Sequence, residues 1–137
     1  MVDDIDINIL NLLKINARIQ WKEIGKEIHM TGQAVGNRIR KMEDTGIIKA
    51  YSVFIDEIKL GKQIAFINVF MKTNEHAKFL DFMTKKDMIV EAHKISGEGC
   101  YILKVLIESQ DQLNKLLDEI LFYGNYRLNL SINKVKG

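Results

Sequence analysis

The hydrophobic repeat of this chain changes period partway along. Up to Gly46, apolar residues recur every three or four positions. From Ile47 onward, β-branched and aromatic runs alternate with shorter helical stretches. A helical period and a two-residue period cannot share one element. The chain must therefore build a helical unit followed by a mixed unit of sheet and helix, an α+β arrangement. We place the helical unit at residues 1–48, a strand-containing connector at 49–61, closed by Lys59-Leu60-Gly61, and a second domain at 62–137. A length of 137 residues accommodates two small domains, and 47% apolar residues supply enough side chains for packed cores.

In the first unit, Ile5, Ile9, Leu12 and Leu13 predict a helix over residues 3–15, with Asp3, Asp4 and Asp6 suited to its N-terminus. Trp21, Ile24 and Ile28 share one face of a second, short helix. After the break His29-Met30-Thr31-Gly32, Thr31 is a good N-cap for a third helix running to about Asp44, and Gly46 ends it in the left-handed conformation. Three short helices with a tight turn between the second and third make a helix-turn-helix, here winged-helix-like.

At 100° per residue, Val35, Ile39 and Met42 of the third helix face the core. Gln33, Asn37, Arg40 and Lys41 lie opposite, with Asp44 at the far end, and Arg38 sits on the flank. From His29 to Met42 there are three basic side chains and no acid. The formal net charge of the whole chain is only +2, but a phosphate backbone responds to a local basic stripe, not to a total. This face carries the side-chain types that reach base edges and phosphates in a major groove, and the alternative is an ordinary solvated helix face. Candidate DNA-contact residues are Thr31, Gln33, Ala34, Asn37, Arg38, Arg40 and Lys41, with Gln33, Asn37 and Arg40 directed to bases and Arg38 and Lys41 to phosphates. Gly36, in mid-helix, either permits a close approach to the second helix or to DNA, or is a tolerated weak spot.

Beyond residue 61, strand-like runs at Ile64–Lys72, Met88–Ile95, Cys100–Glu108 and Tyr126–Lys134 alternate with helical runs at Glu75–Lys85 and Gln110–Phe122. The Tyr51–Ile55 run in the connector also reads as a strand. The order β-α-β-β-α-β is ferredoxin-like. In the last strand, Tyr126, Leu128, Leu130 and Ile132 alternate with polar residues, which predicts one buried face. The first and third strands are apolar on both faces. Two helices cover only one of them, so Phe66, Phe70, Ile102 and Leu106 are expected in a two-fold, sheet-to-sheet dimer interface. The glycine-bearing loop Ser96–Tyr101 is either a site where backbone approaches a ligand or a plain hairpin turn.

The rest of the sequence mostly excludes. The longest apolar run is about four residues, far short of the ~20 that a membrane span needs. The acidic N-terminus does not resemble a signal peptide, and a cytoplasmic location is expected. The single cysteine, Cys100, supports neither a disulfide framework nor a cysteine-based zinc site. His29, His76 and His93 are scattered, and no nucleophile-elbow or phosphate-loop motif occurs, so neither catalysis nor a cofactor is expected.

Taken in order, the segments resemble the Lrp/AsnC (feast/famine) family of transcription regulators. Asp3–Leu10 resembles the opening helix of that family. Ala17-Arg18-Ile19 with Lys22–Gly25 resembles the stretch that follows. Met30-Thr31, Val35, Arg38-Ile39, Met42-Glu43 and Gly46–Tyr51 resemble the recognition helix and its exit. Leu60-Gly61 resembles the end of the connector, and Gly97–Tyr101 the effector-domain loop Gly-x-x-Asp-Tyr. The resemblance implies a sequence-selective regulator that binds double-stranded DNA. It also implies homodimers assembling to tetramers or octamers, and an amino-acid effector near Ser96, Gly97, Glu98, Gly99, Cys100 and Tyr101. This chain departs from the pattern at Cys100, where the family commonly has Asp, and at Gly32, where a proline is frequent. Loss of that carboxylate predicts a weak or absent response to leucine and similar amino acids. Two alternatives are an architectural DNA-wrapping protein with little sequence choice and a ligand-sensing ferredoxin-like module that regulates a partner protein.

Overall fold

The first helix, α1 (Asp4–Ile15), begins where the sequence can form a reciprocal cap. The Asp6 N–H donates to the Asp3 carboxylate at 2.9 Å, and the Asp3 N–H donates to the Asp6 carboxylate at 3.1 Å. The computed structural model describes residues 1–97 and 99–137. Its contacts divide the chain into Met1–Phe54 and Ile55–Gly137.

In the N-terminal unit, α1 is followed by α2 (Trp21–Ile28) and α3 (Gly32–Asp44). Their shared core is Ile9, Ile24, Val35, Ile39 and Met42. Burying each of these side chains contributes about 1.5–3 kcal/mol, which is what holds an eight-residue helix such as α2 that would not persist alone. Thr31 caps α3, its hydroxyl accepting from the Ala34 N–H at 3.1 Å, and Gly46 leaves the helix at a φ of +76°. Ile5 corrects the expected α1 stripe. It is 37% exposed, while Asp6 takes the inward position at that end of the helix because Arg38 is there to pair with it.

The C-terminal unit opens with a 3-10 turn, Glu57–Leu60. It continues as β1 (Gln63–Met71), α4 (His76–Lys85), β2 (Ile89–Lys94), β3 (Tyr101–Ile107), α5 (Gln110–Ile120) and β4 (Gly124–Leu130). The four strands form one antiparallel sheet in the order β2-β3-β1-β4, the ferredoxin-like topology. Ala65, Ile67 and Val69 of β1, and Leu103 and Val105 of β3, are fully buried against α4 and α5. Gly124 lets β4 start close against β1, since a Cβ there would lie 2.1 Å from the Phe70 carbonyl oxygen.

Two expected strand features differ from the structure. Residues 49–56 carry neither helix nor strand, so the run Tyr51–Ile55 stays without a ladder; among the described residues no strand pairs with it, and Val53 and Phe54 are exposed. The last strand ends at Leu130 and not at Lys134. β4 is an edge strand paired only with β1, whose register with it runs out at Ala65 opposite Leu130. One further bond, Ser131 N–H to Ile64 O at 2.8 Å, closes the pairing. Leu130 and Ile132 are consequently exposed, not buried, and the inward face of β4 is limited to half-buried Tyr126 and Leu128.

Candidate nucleic-acid interface

The turn between α2 and α3 is built by close backbone approach. A Cβ on Gly25 would lie 2.2 Å from the Met30 carbonyl oxygen, and the Met30 N–H donates to the Gly25 carbonyl at 2.8 Å. His29 closes α2 in the left-handed conformation, with φ at 58°, a position usually given to glycine. The turn seats α3 against α2, and a Cβ on Gly32 would lie 3.2 Å from the Lys22 backbone nitrogen.

With Val35, Ile39 and Met42 inward, Gln33, Asn37, Arg40 and Lys41 stand exposed on the opposite side of α3, and exposed Asp44 ends that face. Ala34 is half-buried, and the Thr31 hydroxyl is committed to its cap. Arg40 is not free in solvent. Its Nη1 donates to Asn37 Oδ1 at 3.1 Å, and its guanidinium carbon lies 5.1 Å from the centre of the Trp21 ring. The ring itself packs on Gly36: a Cβ there would lie 2.4 Å from Cε3 and Cζ3 of the indole. Of the two readings open for Gly36, close approach to the second helix is therefore the one realised. Trp21 belongs to the exposed face of the unit although its spacing places it with Ile24 and Ile28. The signal for this was a mid-helix glycine facing a large aromatic.

Arg38 has a different set of neighbours. Its Nη1 donates to both carboxylate oxygens of Asp3 at 2.8 Å and to Asp6 at 3.1 Å. These bonds hold the Asp3 carboxyl down at about 2 and push the Arg38 guanidinium up. The side chain links α3 to the start of α1, where the flank position had suggested a phosphate contact.

In the C-terminal unit, the described loop residues differ in burial and in partners. Ser96 and Gly97 are exposed, with Gly97 at a φ of +96°. Cys100 is half-buried and held by its backbone, its N–H on the Val69 carbonyl at 2.8 Å and its carbonyl accepting from Ile95 at 3.0 Å. Tyr101 begins β3 with 2% exposure. It packs on Phe79 with ring centres 5.3 Å apart, and its hydroxyl lies 2.8 Å from His76 Nδ1. Glu98, the sixth loop residue expected at an effector site, lies outside the described residues.

The other face of the sheet carries Ile64, Phe66, Asn68 and Phe70 on β1, and Ile102, Lys104 and Leu106 on β3, paired as Ile64–Leu106, Phe66–Lys104 and Asn68–Ile102. Phe66 is 39% exposed, and the Arg127 guanidinium covers the Phe70 ring at 5.6 Å. The Asn68 Oδ1 is buried and has no hydrogen-bond partner among the described residues. Sequence patterning picked out the apolar members of this strip and missed Asn68 at its centre.

Comparison with known proteins accounts for both units. Residues 2–43 match the AsnC-type helix-turn-helix domain, and residues 64–137 match the Lrp/AsnC ligand binding domain. The chain is 58% identical over 136 residues to the HTH-type transcriptional regulator LrpB of Bacillus subtilis, covering 98% of this chain and 91% of that one. It is 35% identical over 136 residues to LrpA of the same organism, covering 98% and 100%. The solved structure of B. subtilis LrpC superposes with a TM-score of 0.91 at 26% identity, covering 99% of this chain and 98% of that one. The chain belongs to the Lrp/AsnC family of transcription regulators.

Proposed function

We propose that this regulator reads duplex DNA sequence-selectively through the exposed face of α3. The observation that carries this reading is the face itself. Gln33, Asn37, Arg40 and Lys41 stand together, with Asp44 only at the far end of the face, on a helix whose other side is locked by Val35, Ile39 and Met42. Gln33, Asn37 and Arg40 are assigned to base edges and Lys41 to a phosphate. Arg38, engaged by two carboxylates, is assigned to fixing the angle of α3 on α1. Architectural wrapping is the competing reading, and it shares the fold while lacking base preference.

The chain acts as a dimer in this proposal, formed by the sheet face of Phe66, Phe70, Ile102 and Leu106. The unpartnered Asn68 oxygen supports it, because a buried acceptor is satisfied when a second copy brings a donor. Two-fold pairing implies a roughly palindromic operator with half-sites a whole number of helical turns apart, and larger assemblies build on that dimer. For an amino-acid effector the loop offers Cys100 where a carboxylate would hold the ammonium, so the response to leucine and its relatives is weak or absent.

The DNA assignment is tested by two substitutions measured against salt. Arg40→Ala should relax preference at one position per half-site at a cost of about 1–3 kcal/mol. Lys41→Ala should weaken all sequences alike and lower the salt slope by about 1. Unchanged sequence preference in an Asn37→Ala/Arg40→Ala double variant would overturn the reading.

A further inference from the structure

We propose that Trp21 is a specificity-determining positioning residue: its indole, admitted by Gly36, holds the Arg40 guanidinium in the orientation that reads a guanine. This rests on the reading of α3 as the DNA-facing helix and deepens it. Arginine on an exposed helix face ordinarily samples many rotamers, and a base-reading arginine gains from being pre-set. Here the side chain has two restraints. The Trp21 ring lies beneath its guanidinium at 5.1 Å, and Asn37, one turn earlier on α3, takes one of its N–H groups at 3.1 Å.

The geometry leaves the reading edge free. A guanidinium held over a ring keeps its donors in its own plane. One of five N–H groups is used by Asn37, and a fork remains for a pair of acceptors. The base edge that presents two acceptors to such a fork in the major groove is guanine, through O6 and N7.

Gly36 is the third part of the arrangement. It lies four residues before Arg40, on the same side of α3. With any side chain there, the indole could not occupy its place, since even a Cβ would fall 2.4 Å from two ring carbons. A mid-helix glycine weakens the helix, and here the weakness admits the ring. The core of the unit lies elsewhere: Trp21 is 38% exposed, and α2 is anchored by Ile24.

Two measurements on the full-length protein test this. In the first, duplexes selected from a random-sequence pool by the wild-type protein are used to titrate Trp21→Phe, Trp21→Leu and Gly36→Ala, with an unrelated duplex of equal length as reference. Trp21→Phe keeps a ring and should keep the guanine preference. Trp21→Leu and Gly36→Ala should lower discrimination at that one position by about two- to five-fold, the range an exposed cation–π contact supports, with affinity for the unrelated duplex unchanged because no charge is altered. A wild-type pool that yields no preferred sequence would overturn the DNA reading and this inference together. A clear wild-type preference that Trp21→Leu reproduces in full would overturn this inference alone.

The second measurement needs no DNA. Trp21 is the single tryptophan, so fluorescence reports on it directly. Arg40→Ala, which leaves the core untouched, should raise quenching of the indole by acrylamide. Gly36→Ala should do the same while circular dichroism shows the helices intact. Quenching unchanged in both variants would show that the stack does not exist in solution.

Discussion

The proposed dimer turns on Phe66, and the structure sets how much that side chain should matter. In the single chain it remains 39% exposed at the middle of β1. A phenylalanine side chain has on the order of 200 Å² to bury, so about 80 Å² is still in water. Covering that area at ~25 cal/mol per Å² is worth about 2 kcal/mol per protomer. Two-fold symmetry counts it twice, and about 4 kcal/mol corresponds to roughly a thousand-fold in dissociation constant. Phe66→Ala should therefore raise the dimer dissociation constant by two to three orders of magnitude. The protomer should survive the change, because its core is on the opposite face of β1, at Ala65, Ile67 and Val69. Sedimentation equilibrium over nanomolar to micromolar protein reads the constant, and circular dichroism checks the fold. A Phe66→Ala protein that dimerises as tightly as wild type would refute the assignment of this face.

Two other predictions rest on single side chains. Arg38 holds the Asp3 carboxyl at about 2, below its usual 3.8. The stabilisation from that pair is therefore complete above about pH 4 and is lost as pH falls through 2. Asp3→Asn should lower the melting temperature of the N-terminal unit at neutral pH, by a gap that closes between pH 4 and 2. A gap independent of pH, followed by Trp21 fluorescence, would contradict the clamp. At the loop, calorimetry against the twenty amino acids should find no micromolar binder for wild type, while Cys100→Asp should gain one. A clear wild-type binder would sink the argument from the missing carboxylate.

The elements that were legible in the sequence are those fixed by local signals. The α2 boundaries, the Thr31 cap, the inward face of α3 and the βαββαβ order follow from spacing and turn chemistry, and the structure has all four. What escaped depends on neighbours distant in sequence. Arg38 read as a flank cation because nothing near it announces Asp3 and Asp6, more than thirty residues away. Trp21 shares a helical face with Ile24 and Ile28 in the sequence, but spacing gives a direction and not the depth of the groove, which Gly36 sets. The packing of Tyr101 beneath the sheet, beside His76 and Phe79, likewise depends on residues more than twenty positions away. Residues 131–134 and the run Tyr51–Ile55 have strand composition, but pairing needs a second strand; the β1–β4 register stops at Ala65 opposite Leu130, and among the described residues no strand pairs with Tyr51–Ile55.

The central claim is that α3 selects sequence and does more than attach to DNA. The most direct measurement is the ratio of two dissociation constants for the full-length protein at 150 mM salt, a duplex selected by the protein against a scrambled duplex of identical length and composition. Sequence-selective regulation predicts a ratio of about a thousand or more, most of it lost in Asn37→Ala/Arg40→Ala and largely kept in Lys41→Ala. A wild-type ratio near one, with tight binding to both duplexes, would contradict it and assign the basic face to wrapping alone.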